Sequence, residues 1–371
     1  MIEIIDKQDC CGCNACVQKC PRKCIRIEVD NEGFEYPIVN KELCVNCHLC
    51  EKVCPHINDG YVRRPTAVYA IRHPNNRIQL QSSSGGAFSL IAEWIIQQKG
   101  VVFGAIFDDE WNVIHGYTET LDGLVSLRMS KYVQSRIDFS FKRAEKFLKE
   151  GRSVMFVGTP CQIHGLKLFL RKDYENLITV DFVCHGVPSP KVWRSYLNGV
   201  ARRYYIESIA FRDKRLSWEK YCFALQFKDK KKEVCEDLRR NSYLRGFIHD
   251  IYLRPSCYNC KNKCFKSGSD FTLADFWGIK NTYPELYDKN GVSCLMVNSH
   301  KGMNIFSALN VHAVKVEYDK VLQYNHSVEY SVKQKYFRNL FFYMLNRKCI
   351  PLQFSVLTIQ CLNKLYGMIY K

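Results

Sequence analysis

At 371 residues the chain is longer than one ordinary domain and suits two or three. Its 47% hydrophobic and 25% charged content are those of a soluble globular protein, and no run of 18 apolar residues marks a membrane span. The net charge of +17 favours an acidic redox carrier or partner oxidoreductase subunit and a small anionic substrate, whereas no helix-turn-helix, RNP or finger spacing points to nucleic acid.

The start, MIEIIDKQDC, lacks the basic-then-apolar pattern of an export signal, so a cytoplasmic location is expected and a membrane partner is not. Twenty cysteines in such a chain read as reduced, metal-binding thiolates rather than disulfides. Metal-bound thiolates also lower the net charge below its formal value.

Residues 1–60 are cysteine-dense and turn-rich. Cys10, Cys13, Cys16 and Cys20, followed by Pro21, give C-x2-C-x2-C-x3-C-P, and Cys44, Cys47, Cys50 and Cys54 with Pro55 repeat it without deviation. Three thiolates from one tight loop converge on an iron–sulfur cube, and the fourth comes from the other run. The expected sets are Cys10, Cys13, Cys16 and Cys54 for one [4Fe–4S] cluster, and Cys44, Cys47, Cys50 and Cys20 for a second. A zinc pair needs neither the third ligand at this spacing nor the Cys-Pro. Residues 6–57 resemble bacterial two-cluster ferredoxins. Cys11 and Cys24 break the spacing and read as spare small residues, although Cys11 offers a slipped register.

After a polar linker at 59–66, strand and helix patterns alternate. A loop feeds a helix with Ala87, Leu90, Ile91, Trp94 and Ile95 on one face, closed by Gly100. Strands follow at 101–107, 153–158 and 177–184, with helices at 138–150, 159–170 and 188–204. These lengths imply right-handed crossovers and a mainly parallel or mixed sheet, with ligands at the carboxyl ends of the strands. Cys161 and Cys184 fall there. The fold class expected is an α+β ferredoxin-like module followed by an α/β body. The tail, 331–371, reads as helical and basic, packing on the body or a partner.

A third constellation is Cys161, Cys184, Cys257 and Cys260, with Cys264 nearby. By spacing alone it is a third cluster, a zinc site or a set of buried thiols. Cys222, Cys235, Cys294, Cys349 and Cys361 have no cluster spacing. His164 and His185 lie beside these cysteines as candidate proton shuttles or as ordinary hydrogen-bonded histidines. Asp275 reads as an anchor for backbone or as a turn residue. Ser82, Ser83, Ser84, Gly85 and Gly86 form a loop before a helix, either a plain turn or a cradle for a phosphate or flavin edge. No G-x-G-x-x-G is present, so a Rossmann dinucleotide site is not indicated.

The motifs QSSSGGAFS, SKYVQS, FVGTPCQIHGLKLFL, DFVCHGVPSPKVW, FRDK, SCYNC and SDFTLADFWG stand in this order behind the ferredoxin-like segment. Together they resemble the coenzyme F420 hydrogenase/dehydrogenase beta-subunit family. The resemblance implies an N-terminal-type region at 67–150 that binds flavin and a C-terminal-type region at 151–330. It implies an FAD-containing iron–sulfur oxidoreductase exchanging a hydride with F420 or another acceptor. It implies a third [4Fe–4S] cluster on Cys161, Cys184, Cys257 and Cys260, with Cys264 outside the usual spacing. For FAD it favours residues 82–86, with Lys131, Tyr132, Gln134 and Ser135 as a second edge and Lys131 also a catalytic candidate.

Overall fold

The computed structural model describes all residues except 203, 230, 231, 348, 349, 370 and 371, and only the backbone of 369. Cys349 and the last two residues of the tail therefore lie outside the described residues. The first 60 residues hold one antiparallel hairpin, β1 (Ile25–Val29) and β2 (Glu35–Val39), with short helices at Ala15–Lys19 and Leu49–Lys52. Each helix begins on a left-handed residue, Asn14 (φ 57°) or His48 (φ 58°). The cysteine repeat is thus also a repeat of backbone shape, each run turning sharply before its third cysteine.

The body contributes β3 (Ala67–Ile71), β4 (Val101–Phe107), β5 (Val113–Thr118), β6 (Val154–Val157), β7 (Leu177–Phe182), β8 (Ile206–Asp213), β9 (Cys222–Phe227), β10 (Glu233–Asp237), β11 (Phe271–Asp275), β12 (Ser293–Val297) and β13 (Ala313–Lys315). Eight of these form one sheet in the order β13-β3-β12-β11-β7-β6-β4-β5. Only the central β4, β6, β7 and β11 pair in parallel; β5, β12, β3 and β13 join antiparallel. The sheet is therefore mixed, because its flanks are built by antiparallel neighbours that need no crossover helix. Stretches 67–150 and 151–330 both supply strands to it.

Helices cover both faces, as a buried parallel centre requires. Ala87–Gln97 packs Ala87, Ile91, Ala92 and Ile95 over Val102, Met155 and Leu295. On the other face, Ser140–Lys149 and Pro160–Leu170 pack Phe141, Ala144, Ile163 and Leu166 over Phe103 and Phe156. Pro160–Leu170 starts from a capping box in which Thr159 and Gln162 satisfy each other's end of the helix. A second, three-stranded sheet, β10-β9-β8, was not foreseen from the sequence. Trp193 anchors its core, and the tail helices Arg338–Asn346 and Leu352–Ile369 add Phe341, Phe342, Leu345, Val356 and Ile359 to that core. Among the described residues, no helix is long and apolar enough to cross a membrane.

The cysteine-rich module does not hang from its linker. Cys13, Ala15 and Val53 share one core with Phe141, Ile163 and Leu166. Linker residues Arg63 and Thr66 donate backbone N–H groups to the carbonyls of Phe265 and Val297. At the β1–β2 turn the buried Arg338 guanidinium grips both oxygens of Glu32 at 2.7 and 2.5 Å, and Lys191 donates to the Asn31 carbonyl at 2.8 Å.

Leaving one partner of such a buried fork uncompensated costs about 3–5 kcal/mol. Arg338→Met is expected to lower the melting temperature and speed proteolytic cutting within 59–66, and Glu32→Gln in the same chain to recover part of the loss. Unchanged melting and cutting in Arg338→Met would refute the fork as a clamp.

Candidate functional site

The cysteines gather into three sets. Cys10, Cys13, Cys16 and Cys54 are mutual neighbours, close enough that their thiolates repel one another. Burial raises the pKa of Cys16 and Cys54 above the ordinary thiol range, and that of Cys13 is raised as well. Cys20, Cys44, Cys47 and Cys50 line a second cavity together with Cys24. The Ile2 N–H donates to the Cys50 sulfur at 3.3 Å. This second set is the outer one, since Cys47 is exposed whereas Cys13 and Cys16 are buried.

The third set is built by tertiary structure. Cys161 stands in the first turn of Pro160–Leu170, just past β6, and Cys184 two residues past β7. Cys257 and Cys260 come from a short 3-10 turn and its end, at Pro255–Asn259. All four line one cavity that encloses about 850 Å³ including its open mouth. The Val187 N–H donates to the Cys257 sulfur at 3.4 Å. Burial raises the Cys257 and Cys260 thiols and pushes Cys184 up to about 12; Cys161 is raised well above its ordinary value, chiefly by its contact with Cys11 and then by burial. Four such thiols ionise together only beside a strong positive charge. Among the described residues, no group of three His, Cys, Asp or Glu side chains closes tightly enough for a single metal ion. A four-iron cube holds its ligand sulfurs further apart than one tetrahedral ion does.

Two further cysteines lie close to these sets. Cys11 contacts both the Cys13 thiol of its own run and the Cys161 thiol, and lines the third cavity. It stands between the first and third sets. Cys264, at φ 56°, turns its thiol to the Glu329 carbonyl at 3.6 Å and is not part of the cavity wall. Cys222 and Cys235 lie apart from all three sets with their sulfurs 3.0 Å apart. Cys294 is buried in a core of its own, and Cys361 is exposed.

His185 lines the third cavity and bonds Asp250 at 2.7 Å. His164 bonds Asn262 at 2.7 Å through Nδ1, and its Nε2 is buried without a partner among the described residues. Burial lowers the His164 pKa, so it is neutral near neutral pH.

The two candidate flavin segments meet. Ser83 Oγ accepts the Ser130 N–H at 2.7 Å and pairs with the Ser130 hydroxyl at 3.0 Å. Ser82 and Ser84 spend their hydroxyls on the carbonyls of Ile78 and Val292. Gly85 is required by space: a Cβ there would lie 2.4 Å from the Ile71 carbonyl oxygen. Gly86, at φ 96°, caps Ala87–Gln97 in a conformation that favours glycine. Lys131 donates to the Arg128 and Met129 carbonyls at 2.9 and 3.3 Å, and burial pulls its pKa down to about 7. Tyr132 stacks on Phe247 at 4.8 Å. Gln134 and Ser135 serve other ends. The Gln134 amide donates to the Cys11 carbonyl at 3.0 Å, and Ser135 pairs with His115 at 2.9 Å.

Arg212 and Lys214 of the FRDK motif received no role from the sequence, yet they complete this region. Lys214 donates to the carbonyls of Gln79, Ser84 and Asn290 at 2.6, 2.8 and 2.6 Å, tying the serine loop down. Arg212 is 1% exposed, pairs with Asp275, and packs over Tyr221 and Trp277 at 4.5 and 5.2 Å. Its Nε and Nη2 are buried without a hydrogen-bond partner among the described residues. Buried donors of this kind are costly unless a ligand accepts from them. An electron-rich ring edge or a phosphate fits that need.

Residues 151–321 match the family model for the C terminus of the coenzyme F420 hydrogenase/dehydrogenase beta subunit. Residues 9–58 match the 4Fe-4S dicluster domain. Among solved structures, one described as a xenon derivatization of the F420-reducing [NiFe] hydrogenase complex from Methanosarcina barkeri aligns at 14% identity, covering 81% of this chain and 93% of that one, with a TM-score of 0.47. No curated protein matches the chain.

Gly165, inside Pro160–Leu170, marks how closely the body approaches the first cysteine set. A Cβ there would lie 2.9 Å from the Cys13 sulfur. Alanine inside a helix normally stabilises by about 1 kcal/mol over glycine. Here Gly165→Ala is expected to lower the melting temperature and to alter the visible absorption of the iron-loaded protein. A more stable variant with an unchanged spectrum would refute the close contact.

Proposed function

We propose that this chain, which through residues 151–321 belongs to the coenzyme F420 hydrogenase/dehydrogenase beta-subunit family and carries a 4Fe-4S dicluster domain before it, is an iron–sulfur flavoprotein oxidoreductase. Its coarser character, an iron–sulfur electron-transfer subunit of that family, follows from the two matched domains. The single observation that carries the finer reading is the enclosure of Cys161, Cys184, Cys257 and Cys260 around one cavity that Cys11 links to the first set.

Cys10, Cys13, Cys16 and Cys54 hold one [4Fe–4S] cluster, Cys44, Cys47, Cys50 and Cys20 the second, and the cavity quartet the third. These groups supply one-electron chemistry, and a bound FAD supplies the change from one-electron to two-electron hydride chemistry. The chain's own part is to hold them in fixed order. Cys47 opens the outer set to a carrier, the Cys10–Cys16 loop is pressed onto the body, and the strand ends present Cys161 and Cys184 inside it. FAD would be held by Arg212, which offers two unmatched donors, and by Lys131, which offers a buried amine, and both would favour a reduced, more negative flavin. The hydride partner is F420 or another small anionic acceptor, recognised through the positive charge of the chain. The reading as an electron-transfer subunit without flavin is favoured by one observation: Ser82 and Ser84 are already satisfied by backbone carbonyls.

Anaerobic purification with iron, sulfide and flavin analysis decides between the two. The full reading expects about 12 iron atoms and one FAD per chain, falling to about 8 irons in Cys184→Ser. About 8 irons and no flavin in the unmodified chain leaves the electron-transfer subunit alone. Arg212→Met is expected to weaken FAD binding at least tenfold, and equal flavin retention would remove Arg212 from the site.

A further inference from the structure

Arg254 is 0% exposed and sits where the cysteine-rich module meets the body. Its guanidinium donates to the Cys10 carbonyl at 2.6 Å, the Glu35 carbonyl at 2.8 Å and the Gln134 side-chain oxygen at 3.0 Å. It reaches the Cys10 sulfur at 3.5 Å and lies over the rings of Tyr36 and Phe34 at 4.4 and 5.4 Å. Every one of these partners is neutral except the sulfur. The Glu35 carboxylate accepts from Asn14 at 3.2 Å and meets Arg254 only through space, without a hydrogen bond. A fully buried cation needs an anion, and among the described residues the hydrogen-bonded partner of this guanidinium that becomes one on binding iron is the Cys10 sulfur.

The outer set is placed differently. Cys47 is exposed, and Cys50 accepts a backbone N–H from Ile2. The Met1 ammonium feels Cys44 and Cys50 but is paired with Glu51 at 2.5 Å and partly solvated. Water and that carboxylate screen it, whereas Arg254 is closed off from water. Reducing a cluster adds one negative charge, and a buried cation hydrogen-bonded to a ligand sulfur stabilises that charge.

We infer that Arg254 is the buried counter-charge of the inner N-terminal cluster and makes it the easier of the two to reduce, so that electrons entering at Cys47 settle inward. Arg254 is a positioning residue in this role, acting through Cys10. The inference rests on the ligand sets of the proposed function and deepens them.

The test is anaerobic potentiometric titration of the full iron-loaded chain, read by electron paramagnetic resonance, with Cys13→Ser and Cys47→Ser assigning the inner and outer signals. In the unmodified chain the inner signal is expected at the higher potential. Arg254→Gln is expected to lower that potential and leave the outer one in place, and Arg254→Lys to recover part of the shift. An inner potential unmoved in iron-complete Arg254→Gln overturns the inference, as does a shift confined to the outer signal. Should Arg254→Gln lose iron, the order in the unmodified chain decides: an outer signal at equal or higher potential overturns the inference. Failure of the ligand sets shows separately, as full iron content in Cys13→Ser or Cys47→Ser.

Discussion

Thiolates cannot be crowded together in low dielectric without positive charge, and the whole molecule is arranged around that constraint. The three cysteine sets lie at the outer module, at its joint with the body, and inside the body. The deeper a set lies, the less water is available to offset its charge. At the joint the protein supplies a fixed cation, Arg254, in addition to whatever a metal group brings. Inside the body Lys263 donates to the Cys184 carbonyl at 2.6 Å and lowers the cost of ionising that thiol. The charges that make burial possible are therefore built into the scaffold, not recruited from solvent.

Rigidity follows from the same arrangement. The cysteine-rich module has a small core of its own around Ile2 and Ile25 and shares a larger one with the body through Cys13, Ala15 and Val53. Arg338 and Lys191 fix the β1–β2 turn, and Gln134 and Arg254 fix the Cys10–Cys11 loop. Groups that exchange electrons work best in surroundings that do not reorganise, and these contacts leave the loop little freedom.

What the sequence disclosed depended on how local each feature was. The two N-terminal runs were legible because three ligands lie within seven residues, and the local turn alone brings them together. The helices at 87–97, 140–149 and 160–170 and strands β4, β6 and β7 were legible from apolar period and glycine ends. The grouping of Cys161 and Cys184 with Cys257 and Cys260 was only one of several readings by spacing, and the family resemblance had to favour it, because a sheet and a distant 3-10 turn must fold before they meet. Arg254 and Arg212 gave no signal at all. An arginine in sequence reads as surface charge, and only burial without a carboxylate for one, or with unmatched donors for the other, marks it as functional. The sheet is mixed, one of the two forms the sequence allowed, while the second, three-stranded sheet was missed because short antiparallel strands have no crossover helices to announce them.

The two buried arginines also differ in a way that bears on the flavin. Arg254 is satisfied on three nitrogens by carbonyl, amide and sulfur acceptors, all from the folded chain. Arg212 keeps its Asp275 partner but leaves two donors facing no acceptor among the described residues. The unmatched donors are better understood as held for something that binds. The glycine-bearing serine loop first drew attention to this region, yet two of its three hydroxyls are occupied by backbone. The weight of the flavin reading therefore moves from Ser82–Gly86 to Arg212 and Lys131. The loop becomes the wall against which they are set, tied down by Lys214 at the Ser84 carbonyl.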